Sequence, residues 1–205
     1  MKQFKFFTNF DKEESWLNDM ASQGYRFTKK TLFGYEFEPG KRENTVIKMD
    51  YRIFKHQEDF EDYCALFEDS GWEHRSGTKS SGYQYFYKAD EHGSEEIFSD
   101  VHSKAGRYKR LSEMWATLAC VFIPILAELI STGSIDPGVL VNPKSLYYTP
   151  GLWQLNGMTF WRAFLFETPF ALGRGFIWLF LVCMIVMYLY FAMKAGKQYR
   201  KSKQE

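Results

Sequence analysis

The sequence predicts an α+β fold: a duplicated βαββ unit forming an antiparallel sheet with two helices on one face, followed by a two-helix transmembrane hairpin. Three observations predict it. Two apolar stretches, residues 111–130 and 176–193, are each about long enough to cross a hydrocarbon core of ~30 Å at ~1.5 Å per helical residue. The roughly one hundred residues ahead of them switch between the apolar period of a helix and that of a strand. Those same residues repeat with an offset of about 47 positions.

The repeat is carried by several matches in the same order. Lys5-Phe6-Phe7 aligns with Arg52-Ile53-Phe54, Trp16 and Gly24 with Tyr63 and Gly71, Tyr25 with Trp72, and Gly34-Tyr35-Glu36-Phe37 with Gly82-Tyr83-Gln84-Tyr85. In the first unit residues 5–8 read as a short strand. Asp11 then caps a helix, with Glu14 as its reciprocal partner. Trp16, Leu17, Met20 and Ala21 form that helix's buried stripe, and Gly24 ends it in a left-handed conformation. Residues 25–30 and 33–38 follow as a hairpin, closed by the Pro39-Gly40 turn. In the second unit residues 45–54 read as a longer strand, Phe60, Tyr63, Cys64 and Phe67 as the helix stripe, and Gly71 as the stop. Residues 72–76 and 83–88 make the second hairpin, and residues 95–99 suggest an edge strand.

The chain of 205 residues accommodates one modest domain plus a pair of spans, and a net charge of +1 provides no field for nucleic acid. The N-terminal MKQFKFFTNF has neither a long apolar core nor a small-residue cleavage site, so it does not read as a signal peptide. The first span is expected to serve as its own insertion signal. Lys104, Arg107, Lys109 and Arg110 precede the first apolar stretch, and Lys194, Lys197, Arg200, Lys201 and Lys203 follow the second. The connection offers only Lys144, Arg162 and Arg174. The positive-inside rule therefore places both termini in the cytoplasm of a multi-pass cell-membrane protein. The expected organisation is a cytoplasmic domain at residues 1–100, with repeats at about 2–50 and 51–100, and a basic juxtamembrane linker at 101–110. Spans follow at 111–131 and 174–193, joined by an extracytoplasmic loop at 132–173, and a basic tail closes the chain at 194–205.

The opening FFTNFDKEESWLNDMASQGYRF, the following GYEFEPG, and EDYCALFEDSGWE with GYQYFYK in the second unit resemble a bacterial family catalogued as domain of unknown function 2812. The resemblance spans about residues 2–100 and is a whole-domain pattern, not a catalytic motif. It implies a small membrane protein with paired spans, and it carries over no activity and no site residues. Members are frequently encoded beside PadR-type transcriptional repressors, which implies, by analogy, a role in envelope stress or antimicrobial response.

The residues themselves point to no reaction. His56, His74, His92 and His102 lack metal-ligand spacing with one another or with cysteine, and Cys64, Cys120 and Cys183 form no CxxC. No cofactor and no metal is expected. Cys64 lies on a helix stripe and reads as a core residue, and the carboxylates of residues 58–69 read as a solvated helix face. Aromatics offer more. Phe33, Tyr35 and Phe37 share one side of their strand, Tyr83, Tyr85 and Tyr87 share one side of theirs, and Phe86 points the other way. One set must pack under the helices, and the remainder suits a binding face for a partner or an apolar ligand.

In the first span, Pro124 interrupts the helix and Glu128 follows one turn later, an ionisable group at membrane depth or at its outer edge. Beyond it, Met158, Trp161, Phe164 and Leu165 make an amphipathic segment, and Trp153, Trp161 and Trp178 suit the interface belt. These features favour a non-enzymatic membrane protein whose cytoplasmic domain binds a protein or small ligand. The lipid bilayer is its first partner, and a membrane or regulatory protein or a second copy of the chain is left open. A membrane-bound enzyme without a recognisable motif and a small oligomeric transport or channel component are the alternatives.

Overall fold

The computed structural model describes residues 1–42, 45–89, 95–134 and 136–204, so His92 lies outside the described residues. The elements are β1 (Lys2–Gln3), α1 (Phe10–Ser22), β2 (Tyr25–Thr31), β3 (Gly34–Pro39), β4 (Ile47–Tyr51), α2 (Gln57–Asp69), β5 (Trp72–Ser76), β6 (Tyr83–Lys88), α3 (Val101–Ser131) and α4 (Gly157–Ser202). Three short 3-10 turns lie between α3 and α4. Two compact units result, one of Met1–Glu113 with Phe191–Glu205 and one of Met114–Tyr190. The α+β class, the duplicated βαββ order and the pair of long apolar helices are as the sequence predicts.

Within the first unit the strands form two three-stranded antiparallel sheets, β1-β3-β2 and β4-β6-β5, where one sheet was expected. Each βαββ repeat closes its own sheet, because the outer edge of β4 is occupied by side chains instead of a strand. The Ile47 N–H donates to Asn18 Oδ1 at 2.7 Å and the Met49 N–H to Glu14 Oε1 at 3.2 Å. The Met49 carbonyl accepts from Arg107 at 2.9 Å and the Tyr51 carbonyl from Arg110 at 2.5 Å. A strand edge so covered offers nothing for another strand to pair with.

The helices also lie on opposite faces of the second sheet, not on one. Tyr85 and Tyr83 face α1, with Phe10 at 6.2 Å from the Tyr83 ring, and Phe27 of the first sheet lies 4.7 Å from the Tyr85 ring. On the other face, Phe86 packs against Phe67 and Tyr63 of α2 at 4.5 and 5.8 Å. That face forms a cluster of Phe54, Tyr63, Trp72, Phe86 and Ile97. Ile97 enters it from irregular backbone, so the edge strand expected at 95–99 is absent. Phe86 is fully buried. Phe86→Ala should therefore cost about 3–5 kcal/mol, read as a lowered thermal midpoint and faster amide exchange in β5 and β6; unchanged exchange there would refute this packing.

The first sheet has one interior and one charged face. Phe27, Tyr35 and Phe37 are buried, and Trp16 of α1 stands 4.9 Å from Tyr35 and 5.5 Å from Phe37. The opposite face carries the exposed pairs Lys2–Glu36, Lys29–Glu36 and Arg26–Glu38. The first strand is shorter and earlier than residues 5–8, because Phe7 turns in against Trp16 and Tyr35. The cap of α1 is Asn9, whose Oδ1 accepts from the Lys12 N–H at 3.0 Å, and not the Asp11–Glu14 pair. Both helix stops are as expected, Gly24 and Gly71 having φ of +88° and +82°.

The expected linker at 101–110 is the first part of α3, an unbroken helix through Pro124. Likewise α4 runs unbroken through Pro169, so the amphipathic segment and the second apolar stretch belong to one helix of 46 residues. Both helices are long and apolar enough to cross a membrane, and few residues of their apolar stretches are buried within the chain. In the second unit they meet through Tyr188, whose ring lies 5.6 Å from both Trp115 and Phe122. The connection folds back on α4: Tyr147 stacks on Phe164 at 5.3 Å, and Glu167 accepts from the Tyr148 N–H at 3.2 Å and the Thr149 hydroxyl at 2.9 Å. Arg174 donates to Glu167 and to the Leu146 carbonyl.

Candidate functional site

Two features of the first unit go beyond packing: a buried network that fixes α3, and a basic cleft. The network centres on Arg107, 1% exposed. Its guanidinium donates to Glu14 Oε1 at 2.5 Å, to the Met49 carbonyl at 2.9 Å and to Asp11 Oδ1 at 2.7 Å. The rings of Phe10, Tyr108 and Phe98 surround it at 5.0, 5.4 and 5.5 Å. Burial works against its charge, but the carboxylates of Glu14 and Asp11 prevail and hold Arg107 more firmly protonated than usual. The Tyr108 hydroxyl donates to Asp11 at 3.0 Å and accepts from the Phe10 N–H at 3.1 Å. One turn later Arg110 donates to Asp50 at 2.6 Å, and Asp50 also accepts from the Tyr63 hydroxyl at 2.9 Å. α3 is thus joined to α1, β4 and, through Asp50, α2.

A further carboxylate, Glu13, ties the two repeats together. It is 1% exposed and accepts from Tyr35 of the first sheet at 2.7 Å, Tyr85 of the second at 2.6 Å and Lys30 at 3.1 Å. The Lys30 ammonium lies 3.6 Å from the Tyr83 ring centroid, and burial lowers its pKa despite the attraction of Glu13. These charges position the elements they join.

The cleft has a volume of about 480 Å³ and is lined by Arg26, Lys41, Arg75, Lys88, Glu73 and Tyr87, among others. Arg26 pairs with Glu38 at 3.3 Å and Arg75 with Glu73 at 2.9 Å, both exposed contacts of the kind that hold a side chain weakly. Among the described lining residues four cations face Glu73, with Glu38 beside Arg26, a balance that suits a small anion. Sequence reasoning missed this cleft because its cations come from separate strand ends and turns, and no local run announces them.

The residues singled out in the sequence are dispersed. Tyr35, Phe37 and Tyr85 are interior and Tyr83 and Tyr87 half-buried, so they form no open aromatic face. Both faces of β6 are covered, one by α1 and the first sheet and the other by α2. Arg107 and Arg110, expected at the lipid headgroups, turn into the domain because Asp11, Glu14 and Asp50 meet them there. Lys104 pairs with Glu96 at 3.3 Å, and Lys109 lies exposed beside Glu113 at 3.8 Å. Pro124 and Glu128 lie exposed on α3 in the second unit.

The sequence model of a family described as protein of unknown function (DUF2812) matches residues 9–120. The match runs from the Asn9 cap through both repeats into α3 and includes every residue of the Arg107 network. No curated protein and no solved structure matches the chain. Since the family match covers more than half of the 205 residues, the chain belongs to this family of proteins of unknown function.

Proposed function

We propose that the chain is a non-catalytic membrane protein whose N-terminal domain binds a small anionic ligand on the cytoplasmic side and passes that event along α3 into the membrane. The observation that carries this reading is the double role of α3. Its first turns are locked to α1 and β4 by Arg107 and Arg110, and the same unbroken helix becomes apolar from residue 111. A helix held at one end by a folded domain transmits displacement of that domain, whereas a flexible linker only tethers it. The basic cleft supports the ligand class, and the setting we propose, by analogy, is envelope stress or antimicrobial response.

A Gly/Ser insertion between Glu113 and Met114 tests the coupling. Cells lacking the gene should be sensitised to an envelope-active antimicrobial, and the insertion variant should fail to restore resistance although its domain remains folded. Full complementation by that variant would reduce α3 to a tether, and absence of any sensitivity would remove the envelope setting. The ligand half is tested separately, with inorganic pyrophosphate as the probe for the purified full chain. Arg75→Ala with Lys88→Ala should weaken its binding at least several-fold; equal binding would exclude the cleft.

A further inference from the structure

We propose that the tip of the first βαββ unit, Phe4, Phe6, Leu32 and Phe33, inserts into the lipid interface and anchors the domain at the bilayer surface. This rests on α4 crossing the membrane and goes beyond the ligand reading.

The two residues at the β2–β3 turn, between the paired Thr31 and Gly34, are Leu32 and Phe33. Hairpin tips ordinarily carry Gly, Asn or Asp, which suit tight turns and water. Here the tip residues are 88% and 74% exposed. Phe4 and Phe6 are 82% and 65% exposed beside it. Phe4 is a neighbour of the turn because Gly34 lies hard against the backbone of Gln3 and Phe4, where a Cβ on Gly34 would come within 3.1 Å of the Phe4 Cα, and Phe6 follows two residues later. The duplicate unit supplies an internal comparison. Its corresponding connection, between β5 and β6, reads Gly77-Thr78-Lys79-Ser80-Ser81-Gly82 and is polar throughout. One repeat has an apolar tip and the other does not, so the repeat architecture does not itself demand it.

The occupant follows from where this tip lies within its own unit. The Phe6 ring is 5.7 Å from the ring of Phe191, near the end of the apolar run of α4. Met193, exposed, is the last residue of that run, and Lys194 and Lys197 follow. The Ser112 hydroxyl donates to the Ala192 carbonyl at 2.8 Å, so the start of the α3 apolar run is level with the end of the α4 run. Both helices therefore place the water–lipid boundary at this level, and Phe6 touches it directly. Large aromatic and aliphatic side chains at that depth partition into the headgroup–acyl border. Phe6 adjoins the apolar helix, and Phe4 with the Leu32-Phe33 turn held beside it at Gly34 continues an exposed apolar surface that lipid accounts for.

Hydroxyl-radical footprinting of the wild-type chain, one copy per lipid nanodisc, tests this with leucines of equal intrinsic reactivity. Leu66 on α2, 64% exposed, reports water, and Leu179 on α4, 54% exposed, reports the span. Leu32 and Leu179 should both be oxidised several-fold more slowly than Leu66. Leu32 reacting as fast as Leu66 while Leu179 is protected would overturn the tip insertion alone. Leu179 reacting like Leu66 would overturn the membrane reading of α4 and the insertion with it. Protection of Leu32 only in discs carrying two copies would overturn it in favour of a contact between chains.

Discussion

Arg107→Ala is expected to destabilise the N-terminal domain by about 3–5 kcal/mol, the usual consequence of leaving one partner of a buried ion pair uncompensated. The cost falls unevenly. Asp11 is half-exposed and keeps Tyr108, so its loss is small. The Glu14 side chain is only 6% exposed, and without Arg107 its remaining partners among the described residues are the Met49 N–H at 3.2 Å and Lys48 at 3.6 Å. The Met49 carbonyl loses its donor as well. Removing both charges, Arg107→Met with Glu14→Leu, should recover a large part of the loss, because no buried charge is then stranded. Amide exchange across Ile47–Tyr51 in the full chain provides the measurement. Exchange in Arg107→Ala within about tenfold of wild type, equivalent to ~1.4 kcal/mol, would show that the pair does not hold α3 to the domain. Lys109→Ala, on the exposed side of the same helix, should leave exchange unchanged.

The second large effect is alkaline. Burial raises the pKa of Tyr35, Tyr51, Tyr63, Tyr83, Tyr85 and Tyr108, that of Tyr51 to about 12, and the nearby carboxylates Glu13, Asp50 and Asp11 push several of them further. The folded domain thus keeps these phenols protonated, while the unfolded chain releases the protons near pH 10. Below that pH the tyrosines contribute no pH dependence. Above it, each raised tyrosine removes about 1.4 kcal/mol of stability per pH unit until its folded pKa is reached. Six acting together would exhaust a typical domain stability of ~5–15 kcal/mol within about two units. Phenolate absorbance should rise cooperatively above pH 10, together with loss of near-ultraviolet circular dichroism. A smooth titration of all tyrosines at their ordinary pH, with the structure intact, would refute the buried tyrosine interior.

Local signals made much of the fold legible. Gly24 and Gly71 announced helix stops because each must adopt a positive φ, and the matched spacing to Trp16 and Tyr63 exposed the duplication. The apolar stretches announced two long helices by length alone. Long-range chemistry was illegible. Glu13 and Glu14 look like the solvated side of α1, and their burial depends on Lys30, Tyr35, Tyr85 and Arg107, which lie 17, 22, 72 and 93 residues away. Asp11 with Glu14 imitates a capping box, while Asn9, two positions earlier, does the capping. The cluster at 104–110 did contain a usable signal: Arg107 and Arg110 are three residues apart and share a helix face with Tyr108 and Leu111, whereas Lys109 does not. Read by period instead of by composition, those arginines belong to the domain. The Leu32-Phe33 tip was hidden for a different reason: alternation assigned Phe33 to a strand, and only the structure shows it in a turn.

The covering of the β4 edge also has a consequence for the order of synthesis. The two side chains that satisfy the Met49 and Tyr51 carbonyls sit at positions 107 and 110, immediately before the first apolar residues emerge. A nascent chain that has reached residue 100 holds every strand of both sheets, yet its β4 edge still has free acceptors and its Glu14 carboxylate still lacks a cationic partner from α3. Such an edge invites pairing with another chain. The ribosome must therefore deliver α3 before the domain can close, and that same segment opens the first apolar helix. Completion of the domain and emergence of the first long apolar helix are thus scheduled by a single stretch of chain, and the interval in which an open edge is exposed to other nascent copies is kept short.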